Sequence, residues 1–262
     1  ITNNVRIVLT HVYFNLKPTK MKKFLFLLLI LPMLVVAQEN ESYLLNLSEI
    51  TVKNGHNAQF IEGVKAWKEC YLENNGEDKW NMWKRVQGDG TVYTMTSVMA
   101  NWAEMDEKGD AAGKECRLIV VNLIMPHVNS VHYNIARSMP DFSRNGPFPE
   151  DTELVWVYNV KINNSTSFRE CVKETSTALK NTSDGIRAIW YNVVGGAPEV
   201  ADYFVAIPHK NFADLDVKRD GVWKVYEKAH GKEKKDALRA KFRASVDKDW
   251  SYMHRLQKKL SN

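Results

Sequence analysis

The chain has 262 residues, of which 44% are hydrophobic and 26% are charged. That apolar fraction suits one or two globular domains and excludes a disordered polar chain. With 13 glycines and eight prolines, the composition also excludes collagen-like and low-complexity architectures.

The formal net charge of +5 comes entirely from residues 1–37, which carry five basic residues and no acid. From Gln38 onward the chain has 31 basic and 31 acidic residues and is formally neutral. A general attraction to nucleic acid is therefore not supported, and we expect no nucleic-acid partner.

The N-terminal region has the features of an export signal. Met21-Lys22-Lys23 precedes an apolar run, 24–36, and Ala37 supplies a small residue at the cleavage position. The alternative is a membrane anchor, but the run has 13 residues, fewer than the roughly 20 of a spanning helix. We expect 1–20 to be a spurious upstream extension, 21–37 a bacterial signal peptide, and the mature protein periplasmic or secreted, with no stable membrane span.

The first half of the mature chain alternates strand and helix patterns. Phe60, Val64, Trp67 and Tyr71 follow a helical spacing, and Gln87-Gly88-Asp89-Gly90 is typical of a hairpin turn. In chain order, the predicted elements are a strand (43–53), a helix through Phe60, two strands (79–86 and 91–99), a short helix capped by Asn101, and a helical region (114–138) broken at Pro126.

The second half repeats this order. Phe168, Val172, Thr175 and Leu179 have the same helical spacing as their counterparts. The predicted elements are a strand (155–162), this helix, two strands (186–194 and 202–207), a short helix capped by Asn211, and a helical region (222–260) broken near Gly231. Leu238, Phe242, Val246 and Trp250, in steps of four, form the packing face of that last region.

The two halves share thirteen collinear identities at offsets of 107 to 110 residues. They include Phe60 with Phe168, Trp83 with Trp190, Tyr93 with Tyr203, and the segments 101–106 (NWAEMD) and 211–216 (NFADLD). We therefore predict an α+β protein with two tandem βαββα repeats, 42–145 and 152–262. A final strand in ferredoxin-like order is missing or too short to detect.

Each predicted sheet has helices for only one face, and its bare apolar face must be covered. Packing the two antiparallel sheets face to face covers both faces within one chain. This pattern of elements over 42–262 resembles the dimeric α+β barrel superfamily in its single-chain duplicated form. Its members include antibiotic-biosynthesis monooxygenases, EthD-like, NIPSNAP and stress-responsive barrel proteins. The N-[WF]-A-[ED]-[ML]-D segment resembles the short helix after the third strand and is not a catalytic signature, so no catalytic residue carries over.

The duplicated aromatic strands suggest a binding cavity. If the side of the strands that carries Trp83 and Trp190 points into the barrel, aromatic walls with polar heads would suit a flat aromatic ligand. The alternative is that both tryptophans belong to the core between sheet and helix. The candidate ligand-binding residues are Asn81, Trp83, Arg85, Tyr93, Trp190, Asn192, Tyr203 and His209.

Histidine spacing does not predict a metal site, because no two histidines of the mature chain are four residues apart. No cofactor is predicted, although a single axial haem ligand remains open, with His132 as the better candidate. The three cysteines, Cys70, Cys116 and Cys171, leave at least one thiol unpaired within the chain if it is exported. We interpret all three as small buried hydrophobic residues.

Two functions remain. The first is an exported α+β barrel of unknown specific activity that binds a small apolar or aromatic ligand between its halves. The second, implied only by the resemblance, is a cofactor-independent monooxygenase-like or haem-processing enzyme. No G-x-S-x-G elbow or phosphate-binding loop is present to decide between them.

Overall fold

The structure is a computed structural model that describes residues 41–107, 109–183 and 185–262. The predicted signal peptide and upstream extension lie outside the described residues. Eight antiparallel strands close into a barrel in the order β1-β3-β2-β8-β5-β7-β6-β4. The strands are β1 (Leu44–Val52), β2 (Asn81–Arg85), β3 (Thr91–Met99), β4 (Val128–Ser138), β5 (Leu154–Ile162), β6 (Ile189–Val193), β7 (Tyr203–His209) and β8 (Val246–Leu256).

Each half of the chain contributes one four-stranded sheet. The first sheet has the order β4-β1-β3-β2 and the second has the order β8-β5-β7-β6. Two seams join them, β2 with β8 and β6 with β4, and each seam has three paired residues on either strand. One chain therefore closes the barrel, which confirms the predicted α+β barrel with face-to-face sheets.

The helices lie outside the barrel. They are α1 (Asn57–Glu73), α2 (Ala111–Glu115), α3 (Arg117–Ile119), α4 (Ser165–Lys180), α5 (Val222–His230) and α6 (Lys232–Ser245), with shorter helical turns between them. Phe60 of α1 packs on Tyr93 with ring centroids 4.9 Å apart and an interplanar angle of 36°. Phe168 of α4 packs on Tyr203 with the same separation and angle. The two helix-to-sheet contacts are therefore equivalent, as the repeat predicts.

Each repeat has a fourth strand, so the prediction that 114–138 and 222–260 are helical to their ends is wrong. The chain becomes extended at Val128, shortly after Pro126, and again at Val246. The four-residue steps that suggested a helix are also multiples of two, the period of a strand. The barrel closes only when β4 pairs with β6 and β8 pairs with β2, so closure favours the extended conformation of these segments over a helix.

The repeat extends to matching irregularities. The register of β1 against β4 shifts between Thr51 and Val52, and that of β5 against β8 shifts between Lys161 and Ile162. These positions are 110 residues apart, which is also the separation of Tyr93 and Tyr203. Because bulges arise from local sequence and packing, their matched positions support a true internal duplication.

The predicted equivalence of Trp83 and Trp190 is wrong by one residue. Tyr93 pairs with Lys84 and Tyr203 pairs with Asn192, so Trp83 corresponds to Tyr191. A shift of one residue moves a side chain to the other face of a sheet. Trp83 accordingly packs with the inner cluster, and Trp190 packs outside against Phe168.

The interpretation of all three cysteines as small buried hydrophobic residues is wrong for two of them. Cys70 of α1 and Cys116, between α2 and α3, form a disulfide, and only Cys171 is a free, buried thiol. Sequence spacing gave no evidence for this pairing because the two cysteines are 46 residues apart. Within the described residues, no helix has the length and apolar character required to span a membrane.

Candidate functional site

The interior of the barrel is defined by a hydrophobic cluster drawn from both sheets. Leu45, Trp83 and Ala136 of the first sheet pack with residues such as Val155 and Phe204 of the second. Two other clusters, in contrast, join each sheet to its own helix. Since side chains alternate along a strand, the positions two residues from these also face inward.

The two inner walls differ in chemistry. The wall formed by the second sheet is mainly apolar and tightly buried, with Val155, Ile189, Tyr191, Phe204 and Ala206. The wall formed by the first sheet carries polar residues at its inward positions, including Arg85, Thr94, Thr96, Glu49, His132 and Asn134. Many of these residues are only half-buried, as are Trp83 and Trp250. The interior therefore combines an apolar wall with a polar wall that solvent partly reaches.

Arg85 and His254 form the polar centre of this interior. They are direct cross-strand partners where β2 meets β8. The Arg85 guanidinium lies over the Tyr252 ring, with its central carbon 4.6 Å from the ring centroid, and one terminal nitrogen donates to the Asp89 carbonyl. Arg85 Nε and His254 Nδ1 are both buried, and neither makes a hydrogen bond of good geometry among the described residues. The Tyr252 backbone nevertheless lies close enough to the His254 ring to affect its pKa.

The β2–β3 turn covers this centre. Gly88 has a positive φ of 99°, and a Cβ there would lie 2.9 Å from the Tyr252 ring and 3.4 Å from Arg85 Nε. The predicted hairpin turn thus needs a glycine for close approach as well as for its backbone conformation. Val86 N–H donates to the Met253 carbonyl, which ties the turn to β8.

His254 is 9% exposed, and its burial lowers its pKa to about 4. The neighbouring Arg85 charge lowers the pKa further, whereas the Tyr252 carbonyl opposes the shift. The imidazole is therefore neutral at neutral pH, with one ring nitrogen able to donate and the other able to accept.

The other seam lacks this polar pair. By the strand register, Arg85 corresponds to Val193. His254, which pairs with Val155, corresponds to Ala136, which pairs with the equivalent Leu45. Val193 and Ala136 are cross-strand partners as well. Val193 and Ala136 both belong to the inner apolar cluster. The duplicated barrel is consequently asymmetric, because the seam between β2 and β8 is polar and the seam between β4 and β6 is apolar.

Only three of the eight predicted ligand-binding residues face inward: Asn81, Trp83 and Arg85. The other five, Tyr93, Trp190, Asn192, Tyr203 and His209, lie on the outer faces of their strands. Tyr93 donates to Asn57 Oδ1 at 2.8 Å, and Trp190 meets Phe168 edge-to-face at 5.9 Å. The outward aromatics therefore hold helices on the sheets.

His209 lies in an ion-pair network outside the barrel. Its Nδ1 is 2.8 Å from Asp214 Oδ2, and Asp214 also pairs with Arg187 and Arg219. The Arg219 hydrogen bond is the largest cause that lowers the pKa of Asp214, to about 2. Burial lowers the pKa of His209 despite the opposing Asp214 carboxylate. This network fixes the turn after β7 to the sheet and does not enter the interior.

Sequence reasoning missed Trp250, Tyr252 and His254, which all face inward from β8. It missed them because the segment was assigned to a helix. Their spacing of two residues, continued by Leu256, is the signal that identifies an inward-facing strand.

The described histidines do not fit an axial haem ligand, which needs a free ring nitrogen facing an apolar slot. His132, the expected ligand, is an exposed strand residue opposite Glu49, and His254 stands beside the Arg85 cation. His56 and His127 bond each other at 2.8 Å, and His230 packs on the Tyr226 ring. Nor do the described His, Cys, Asp and Glu residues form a group of three or more that could hold a metal ion.

No protein-family model and no curated protein matches this chain. Among solved structures, it is similar to a candidate monooxygenase from Fusobacterium nucleatum, with a TM-score of 0.50, 10% identity, and coverage of 82% of this chain and 93% of that chain. A candidate monooxygenase from Lactobacillus acidophilus has a TM-score of 0.46 and 10% identity, and the match covers 82% of this chain and 94% of that chain. A haem-binding protein from Thermus thermophilus has a TM-score of 0.44 and 8% identity, and the match covers 84% of this chain and 92% of that chain. Identities this low show the fold alone: the chain has the architecture of the dimeric α+β barrel proteins, duplicated within one polypeptide.

Proposed function

We propose that the barrel interior binds a small ligand with a flat apolar or aromatic body and a polar head. The observation that carries this proposal is the pair of buried, unpartnered polar atoms, Arg85 Nε and His254 Nδ1, beside half-buried aromatic side chains. A buried polar atom without a partner costs about 1–3 kcal/mol. A ligand that supplies the missing partner would offset this cost.

The walls suit the two parts of such a ligand. The apolar wall from the second sheet provides contact area for a flat body, and aromatic side chains favour stacked or edge-to-face rings. The polar wall from the first sheet orients the head. A few convergent polar groups in a mainly apolar site are typical of small-molecule binding.

The test is equilibrium binding of 2-naphthol to residues 38–262, followed by tryptophan fluorescence and calorimetry. Trp83→Phe should remove part of the fluorescence response and weaken binding several-fold, because it takes contact area from the inner wall. Trp190→Phe is the matched control on the outer face and should bind as the native protein does. No saturable binding at millimolar probe, or dependence on Trp190 instead of Trp83, would contradict the proposal.

A second candidate, an enzyme that oxygenates aromatic compounds without a cofactor, is favoured by one row of the polar wall. Glu49 lies between Thr94 and His132 on neighbouring strands, and Thr94 Oγ1 is buried without a partner in the described chain. A carboxylate and an imidazole side by side can remove a proton from a bound phenol. Oxygen uptake with 1,4-dihydroxynaphthalene above autoxidation, with an atom of the consumed oxygen found in the organic product and the activity lost in Glu49→Gln, would support this activity. Uptake equal to autoxidation would reject it.

We also propose that the protein is exported to an oxidising compartment as residues 38–262. The disulfide between Cys70 and Cys116 supports this location, because such bonds persist mainly outside the reducing cytosol. N-terminal sequencing of the exported protein should begin near Gln38. A sequence that starts at Met21 or earlier would contradict the assignment.

A further inference from the structure

We infer that the head group of the ligand is a carboxylate or a similar planar anion, held by Arg85 and His254, and that each chain binds one such molecule. This inference rests on the proposed function, since it concerns the same interior site. Beyond the proposed function, it specifies that the ligand is negatively charged and that each chain has one binding site.

Arg85 carries a positive charge that no acidic side chain of the described residues pairs with. A buried or half-buried arginine normally has an anionic partner. No ion pair involves Arg85 within the described ranges. Glu49, the one acid on the inner face of the first sheet, makes no ion pair there either. The charge is therefore available to an external anion.

Arg85 and His254 are neighbours across the seam between β2 and β8, on the same inner face. The Tyr252 ring and the Asp89 carbonyl already hold the guanidinium, and its buried Nε lies under the β2–β3 turn without an acceptor, so an anion reaches it only when the turn moves aside. Cross-strand neighbours on one face lie about 5 Å apart at their Cβ atoms, so His254 can address the same ligand group. A planar anion with two oxygens accepts from two such donors at once.

The other seam, between β4 and β6, has no such donors. Val193 and Ala136 replace Arg85 and His254 at the equivalent positions, and both are part of the apolar cluster. An anion there would have no donor from these residues and would lose its hydration. The repeat therefore provides one anion site in each barrel, with the apolar seam left to contact the ligand body.

The experiment compares 2-naphthoate with 2-naphthamide, which has the same rings and a neutral head. Native protein should bind naphthoate about 10–100-fold more tightly, in the range expected for hydrogen bonds to a charged group. Arg85→Met should abolish this preference. Lys84→Met removes a positive charge from the neighbouring, outward-facing residue and should preserve the preference. Circular dichroism and thermal unfolding verify the fold of each variant.

Each outcome decides a different point. Equal binding of both probes would overturn the carboxylate inference and leave the proposed function standing. Binding of neither probe would overturn both. If Arg85→Met does not fold, calorimetry on the native protein still decides, because a 1:1 stoichiometry and a preference for naphthoate are required. Two equivalent naphthoate sites in each chain would contradict the single-site argument.

Discussion

At the residue scale, His254 shows how position determines chemistry. On β8 it is enclosed by strands, faces the barrel interior and has the Arg85 cation as its partner across the seam. The sequence placed this segment in a helix and assigned no role to His254. The interior strand lowers its pKa to about 4, which makes the residue sensitive to acid.

We expect His254 to make the protein less stable as the pH falls from about 6.5 to 4. In this range the unfolded chain takes up a proton that the folded imidazole does not, so stability falls with pH. The expected loss between pH 7 and pH 4.5 is roughly 2 kcal/mol. Urea unfolding of the native protein and of His254→Gln at both pH values measures it. A variant whose stability falls as much as that of the native protein would contradict this role.

At the element scale, the sequence predicted which segments form helices and strands better than it predicted which side of each strand faces the barrel interior. The helices through Phe60 and Phe168, the β2–β3 hairpin and the repeat order are all observed. The fourth strands were missed because four-residue steps fit both a helix and a strand. The faces of β2 and β6 could not be assigned because identity matching placed Trp83 on Trp190, one residue from the register that the hydrogen bonds define. The register of a strand against its partners decides which of its side chains face inward, and the sequence of one short strand does not specify that register.

The disulfide is a second feature of the elements that only the structure shows. It ties α1 to the segment that leads into α3, across 46 residues of chain. We expect the Cys70→Ala/Cys116→Ala double variant to lose about 2–4 kcal/mol of stability, because its unfolded state is less constrained. Cys171→Ala, which removes the buried free thiol, is the control. Thiol titration of unreduced, denatured native protein should find one reactive thiol per chain, and three would contradict the bond.

At the scale of the whole molecule, the two seams make the halves depend on each other. Each seam pairs a short strand of one half with the long last strand of the other. The inner cluster likewise takes residues from both sheets, and Phe148 of the connecting segment packs against it. Neither half can bury its inner sheet face alone, so the core belongs to the complete barrel.

We therefore expect residues 38–143 to fail as a soluble monomer. Without the second half, β2 and β4 become unpaired edges, and Leu45, Leu47 and Trp83 face solvent. A second copy can restore both seams, since the lost partners β8 and β6 have equivalents in β4 and β2. The fragment should dimerise or aggregate, whereas residues 38–262 should remain a monomeric barrel unit with its sheets joined at high effective concentration. Light scattering coupled to size exclusion distinguishes these states. A fragment that unfolds cooperatively as a monomer would show that each half has a sufficient core of its own.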